Sequence, residues 1–207
     1  MKAPGRSSVR SPSRRRFIVG TAAAGGGLAL GFHVPAFGAT EPANAAAGSE
    51  INAWVVVQPN ETCMIRIARS EMGQGTRTGL AQLVAEELEC DWKHVATESI
   101  TPGENLARKR AWGAMATGGS RGIRDSQDYV RRGGAAARIM LVQAAADQWN
   151  VPAAELTVAN GVITHAATGR KTTYGKVAAA ASKLNPPDPK SITLKDPKTW
   201  TIAGKPL

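Results

Sequence analysis

The sequence predicts an α+β fold, and three observations carry that reading. A short β-branched strand pattern at 62–67 runs through a glycine-bearing turn into a helix pattern. An Asn160-Gly161 pair joins two further strand patterns. Between these lies a long helix pattern at 125–149, rich in alanine and glycine. No internal repeat is visible.

The elements follow in order. Residues 51–58 and 62–68 read as two strands joined across Pro59-Asn60-Glu61, a hairpin-like turn. Leu80, Leu83, Val84 and Leu88 recur at the spacing of one helix face, which predicts a helix over 76–89. Residues 95–100 read as a strand. Residues 101–122 read as a long glycine-bearing loop, a feature that compact domains often reserve for function. In the helix that follows, Gly133, Gly134, Ala135, Ala136 and Ala137 leave room for a neighbour to pack very close. Asn160-Gly161 between 156–158 and 162–164 predicts a type I′ hairpin. Thr173 is placed to cap a helix running to about Leu184. Pro186-Pro187-Asp188-Pro189 then opens an extended linker over 186–207.

The N-terminus carries a targeting signature. Ser13-Arg14-Arg15-Arg16-Phe17-Ile18 is of twin-arginine type, and a small, apolar run from Ile18 to Phe32 follows. That run suits a signal segment and is too short for a transmembrane helix. Ala43-Asn44-Ala45 offers a cleavage site, with Ala39 as another. Residues 1–45 are therefore expected to be a twin-arginine signal and linker, and the protein to be periplasmic. The twin-arginine route exports folded proteins, often because a cofactor is inserted first. Residues 1–45 hold six Lys/Arg against Glu41 alone, so the rest of the chain has 20 basic and 15 acidic residues, a net charge of +5 against +10 overall. Its tightest cluster, Arg108-Lys109-Arg110, is too small for a nucleic-acid footprint and reads as facing solvent or an anionic cofactor or partner. Roughly 160 residues remain, enough for one modest core.

Of the two cysteines, Cys63 lies in a strand and reads as a small buried hydrophobe. Cys90 ends the first helix, and nothing in the sequence pairs the two. His33, His94 and His165 have no ligand-like spacing, so no protein-ligated metal is expected.

Two segments are candidate sites. In Ser70-Glu71-Met72-Gly73-Gln74-Gly75-Thr76, the glycines permit a tight turn and close approach of a ligand. The N–H groups opening the next helix suit an anion, and the Gln74 amide can read a polar ring edge. The alternative is a turn whose glycines do nothing but turn. In Ala116-Thr117-Gly118-Gly119-Ser120-Arg121-Gly122, two hydroxyls, adjacent glycines and an arginine can gather around a phosphate. The alternative there is a flexible loop capped by Ser120.

The order Glu71-Met72-Gly73-Gln74-Gly75-x-x-Thr78, then a helix, a strand near Trp92 to Ser99, and Thr117-Gly118-Gly119-Ser120 before a small-residue helix resembles a known family. It is similar to the molybdopterin-binding large subunit of xanthine dehydrogenases and aldehyde oxidases, in particular the isoquinoline 1-oxidoreductase beta-subunit type and its exported aldehyde-dehydrogenase relatives. The resemblance implies that residues 46–185 form part of a molybdopterin-binding domain. It implies that Met72, Gly73 and Gln74, with Gly75 beside them, contact the pterin. It also implies that Thr117, Gly118, Gly119 and Ser120 line the cofactor's phosphate and the edge of the molybdenum pocket. The implied cofactor is molybdopterin, in its cytosine dinucleotide form, with molybdenum held by the pterin. The implied partners are the remaining large-subunit segments with their hammerhead-like domain, a small [2Fe–2S] subunit and a c-type cytochrome, with association to the inner membrane through them. The reaction is oxidation of aldehydes or N-heteroaromatics.

In this family the catalytic base is a glutamate in a Gly-x-Gly-Glu context, and that motif is absent from this sequence. The expectation is an N-terminal piece of such an enzyme (by truncated gene, split subunit or sequence cut), inactive by itself and with no catalytic residue of its own. The competing expectation is a non-catalytic exported module that binds anions with the same two loops.

Overall fold

The computed structural model describes residues 48–205. The signal motif at Arg14, Arg15 and Arg16, the apolar run after it and both cleavage sites lie outside the described residues. The expected α+β character holds. One sheet carries β1 (Ser49–Glu50), β2 (Val55–Val57), β3 (Cys63–Ile67) and β4 (Val95–Ser99) in that spatial order. The first three are antiparallel and β4 runs parallel to β3. A second, antiparallel sheet holds β5 (Leu156–Ala159), β6 (Val162–His165) and β7 (Arg170–Thr173). The helices are α1 (Thr76–Leu88), α2 (Pro102–Ala107), α3 (Arg121–Arg124), α4 (Gln127–Trp149) and α5 (Tyr174–Ala181).

β3 shows why a period of two makes a strand here. Cys63, Ile65 and Ile67 point into the core. Arg66 points out, bonding Glu98 on the adjacent β4 at 3.0 Å and reaching past β2 to Glu50 on β1 at 2.6 Å. The single strand expected over 51–58 is broken. The Asn52 carboxamide oxygen accepts from the N–H groups of Trp54 (2.9 Å) and Val55 (3.1 Å), and its nitrogen donates to the Gly133 carbonyl at 2.8 Å. An Asx turn thus competes with the sheet ladder and wins.

Two other expectations need correction. The segment expected to be a loop over 101–122 contains α2, started by a capping box in which Thr101 accepts from Glu104 N–H and the Glu104 carboxylate accepts from Thr101 N–H. Thr173 stands at the start of α5, yet its hydroxyl donates to Glu61 at 2.6 Å. The same Glu61 carboxylate accepts from Gly175 N–H at 2.9 Å, so the β2–β3 turn caps α5. The Asn160-Gly161 hairpin forms as expected, with positive φ at both residues (50° and 74°) and Ala159 paired to Val162.

α1 packs on β3 with one side and on α4 with another. A Cβ at Gly134 would stand 2.5 Å from the Val84 carbonyl oxygen, so the two helices touch backbone to side. α1 also carries two buried acids. Glu87 bonds Arg131 at 2.6 Å, and the Glu86 carboxylate accepts from the N–H groups of Thr201, Ile202 and Ala203. Residues 186–205, expected as an extended linker, are thereby docked on the domain, with Ile192 and Ile202 buried. No described helix is long and apolar enough to cross a membrane.

A side chain at Gly134 must push α1 off α4. Gly134→Val is expected to destabilise the fold by about 1–3 kcal/mol, the usual range for overpacking, read as a lower midpoint in urea or thermal denaturation.

Candidate functional site

The parallel pair β3 and β4 sends both chains out at the same edge, with Ile67 opposite Ser99. Beyond the carboxyl ends of parallel strands is where α/β folds place ligands. From β3 the chain runs through 68–75 into α1; from β4 it runs through 100–120 into α3. The two loops singled out in the sequence, far apart along the chain, meet here. The Thr117 hydroxyl donates to the Ser70 carbonyl at 2.8 Å. Gly122 presses on Thr76, where a Cβ would lie 2.8 Å from its hydroxyl oxygen. Ile123 lies against Gly79 on α1 in the same way.

Arg69, which the sequence reading did not single out, ties the arrangement together. Its guanidinium donates to the Ala116 carbonyl at 2.6 Å and to the Ser126 hydroxyl at 2.9 Å, while Tyr129 donates to that same hydroxyl at 2.6 Å. Arg69 is buried and both of these partners are neutral. Only its position directly before the glycine-bearing motif could have drawn attention to it.

Each expected site residue has a definite place. Met72 is 71% exposed at the tip of the first loop. Gly73 and Gly75 have φ of 94° and 80°, a region L side chains rarely adopt. The Gln74 amide is engaged within its own loop: its oxygen accepts from Met72 N–H at 2.6 Å, and its nitrogen donates to the Ser70 carbonyl and the Thr76 hydroxyl. In the second loop, Gly119 and Ser120 have φ of 58° and 54°, and Ser120 precedes α3 without capping it through its hydroxyl. Arg121 and Arg124 are exposed beside them, both near Asp125. Arg108, from the basic trio, pairs with Glu50 and stacks over Trp112.

The expected anion site at the head of α1 is partly taken by the chain itself, because the Glu71 carboxylate engages the Gly75 and Arg77 N–H groups there. It accepts from Gly73 N–H at 2.7 Å, Gly75 N–H at 3.1 Å and Arg77 N–H at 2.9 Å. A built-in anion satisfies the helix dipole. The Arg77 and Gly75 N–H groups, with those of Gly73 and Gln74, hold this carboxyl below the usual carboxylate range. An open cradle remains at Gly118. Among the described residues nothing lies within 4 Å of where its Cβ would stand, and its φ is ordinary. With the exposed Gly119 and Ser120 alongside, this edge suits a flat or phosphate-bearing ligand approaching the backbone closely.

An apolar cleft of about 500 Å³ is a different feature, lined by Trp54, Trp112, Tyr129, Pro186, Pro187 and Ile192.

The Glu71 cap has a testable pH dependence. Its folded-state value is depressed, so the stabilisation is present above the unfolded carboxylate value and is lost as pH falls through the folded one. Amide exchange at Gly73, Gly75 and Arg77, corrected for the intrinsic pH effect, is expected to lose protection on acidification. Glu71→Gln is expected to show weakened protection at neutral pH as well, with a flatter pH profile.

Comparison with known proteins agrees with the reading of the motifs. The chain is 36% identical over 170 residues to the isoquinoline 1-oxidoreductase subunit beta of Brevundimonas diminuta, covering 81% of this chain and 22% of that protein. It is 30% identical over 189 residues to the membrane-bound aldehyde dehydrogenase [pyrroloquinoline-quinone] of Gluconacetobacter polyoxogenes, covering 84% and 22%. The chain thus spans about a fifth of the length of these curated relatives. Among solved structures, quinoline 2-oxidoreductase from Pseudomonas putida 86 aligns with a TM-score of 0.46 at 18% identity, over 63% of this chain and 16% of that one. CO dehydrogenase from Oligotropha carboxidovorans aligns with a TM-score of 0.47 at 20% identity, over 66% and 18%. A model of the molybdopterin cofactor-binding domain matches residues 7–206, and the chain belongs to that family.

Proposed function

We propose that this chain supplies part of the cofactor-binding surface of an exported molybdenum-dependent oxidoreductase acting on aldehydes or N-heteroaromatic rings. The observation that carries the proposal is the meeting of the 70–76 and 116–122 loops around an open glycine edge at Gly118. Met72, Gly73, Gln74 and Gly75 form the side toward the pterin, and Thr117, Gly118, Gly119 and Ser120 the side toward its phosphate. When bound, the molybdopterin supplies two-electron oxidation at an electrophilic carbon. The chain's own residues bind and orient it: Arg69 fixes the spacing of the loops, and Glu71 ties the first loop to the start of α1. The substrate class follows the names of the relatives, an isoquinoline oxidoreductase and an aldehyde dehydrogenase.

The working assembly includes the remaining segments of the large subunit, a separate [2Fe–2S] subunit that takes the electrons, and a c-type cytochrome as a further acceptor. The cytosine dinucleotide form of the cofactor belongs to the same proposal. A module that binds free anions at the head of α1 has less support, because Glu71 already takes the Gly75 and Arg77 N–H groups there.

Gly118 allows a test in which chain stability and ligand binding separate. A Cβ there meets nothing among the described residues, so Gly118→Val is expected to leave the denaturation midpoint unchanged. In the assembled enzyme it is expected to lower molybdenum and pterin content several-fold, measured by metal analysis and pterin fluorescence. Full retention of both overturns the proposal.

Export by the twin-arginine route is supported by Arg14 and Arg15 before the apolar run. Lysine keeps the charge and loses the planar fork of arginine. Replacing both with Lys is expected to leave the precursor in the cytoplasm, seen by cell fractionation, whereas normal export of that variant overturns the assignment.

A further inference from the structure

The two cysteines, which the sequence left unpaired, come together through the fold. α1 runs back along β3, so the end of the helix lies over the start of the strand. Cys63 opens β3, held between Val57 on β2 and Val95 on β4. Cys90 follows α1, and the backbone just before it is held by two hydrogen bonds. The Tyr174 hydroxyl donates to the Leu88 carbonyl at 2.6 Å, and Gly161 N–H donates to the Glu89 carbonyl at 2.8 Å. Both thiols are free and buried, at 1% and 3% exposure. They line one cavity of about 310 Å³, together with His94, Gly161 and Tyr174. On the Cys63 side, the thiol also donates to the Glu61 carbonyl at 3.8 Å.

We propose that Cys63 and Cys90 are a buried dithiol that a peroxide converts to an intramolecular disulfide, tying the start of β3 to the end of α1. The cavity between them admits a small oxidant. One sulfur attacks the peroxide O–O bond, becoming a sulfenic acid while one water leaves. The second sulfur displaces the sulfenic oxygen as another water and forms the S–S bond. In sum, the two thiols lose two hydrogens and two electrons, and hydrogen peroxide is reduced to two waters. The ring so closed contains the whole 70–76 loop and α1, so oxidation restricts the unfolded chain around the cofactor-facing segment. The Cys63 thiol beside it, and then burial, hold the Cys90 thiol well above its ordinary range. Oxidation is therefore expected to be slow at neutral pH and faster as pH rises.

The test uses the full chain, purified reduced and treated with hydrogen peroxide while folded, as judged by circular dichroism. After denaturation and maleimide blocking, the intact mass is expected to be lower by two hydrogens with no maleimide added. Tryptic digestion is expected to give one linked peptide containing Cys63 and Cys90, and the oxidised chain to have the higher thermal midpoint. Cys63→Ser is expected to abolish the mass loss and leave Cys90 as an oxygen adduct. Maleimide on both cysteines after oxidation, or oxygen gained on the wild-type thiols without loss of hydrogens, overturns the proposal. The wild-type measurement decides the matter even if the variant fails to fold.

Discussion

The close approach of α1 to α4 is the constraint on which the rest depends. The Val84 carbonyl occupies the space a Cβ at Gly134 would need, so α1 is clamped between the first sheet and a long helix. Clamped in this way, it is buried on nearly every side: Leu80, Val84 and Leu88 face apolar neighbours, and even Glu86 and Glu87 are sealed from water. Buried carboxylates are tolerated only when fully paired. Glu87 takes Arg131 and the Lys195 N–H; Glu86 takes three consecutive N–H groups and the Lys195 ammonium. For Glu86, burial pushes the carboxyl up, but the N–H groups of Ile202, Thr201 and Ala203, with Lys195, bring it below its ordinary value. The C-terminal strap is thus an electrostatic requirement of α1.

That placement of α1 also decides how an anion can be held. A helix start after a parallel strand is an obvious anion site, and here the chain's own Glu71 carboxylate takes the Gly75 and Arg77 N–H groups at that start. Negative charge of the kind the helix dipole favours is thus already present. In the proposed function, recognition falls to the neighbouring 116–122 loop, which Arg69 ties to the first loop and to Ser126. This guanidinium is buried between a carbonyl and a hydroxyl, which makes it a spacer between loops.

Local signals in the sequence were legible where local physics decides the outcome. The spacing of Leu80, Leu83, Val84 and Leu88 marks α1, and Asn160-Gly161 marks a hairpin because both residues accept positive φ. The order of the two loop motifs led to the family that the comparison shows. What was missed rests on partners distant in sequence. Asn52 breaks a strand through its bonds to nearby N–H groups and to Gly133. Glu61 caps a helix more than a hundred residues later. β7 is the polar run Arg170-Lys171-Thr172-Thr173, without an apolar alternation to announce it. Glu86 and Glu87 look like solvent-facing charges until Arg131 and Lys195 are placed beside them. α2 is the exception, since Thr101-Pro102-Gly103-Glu104 is a readable capping box.

The glycines of the two loops separate chain requirements from ligand requirements. Gly73, Gly75 and Gly119 are held at positive φ, so the backbone alone accounts for them. Gly122 is needed because Thr76 lies against it. Gly118 has neither reason: its φ is one that any residue adopts, and none of the described residues occupies the space beside it. A position that the fold leaves free, yet filled by the residue that costs the most backbone entropy to order, calls for an explanation outside the chain. In the proposed function, close approach of a bound cofactor to the backbone provides it, and the edge at Gly118 is where the chain leaves room for molybdopterin.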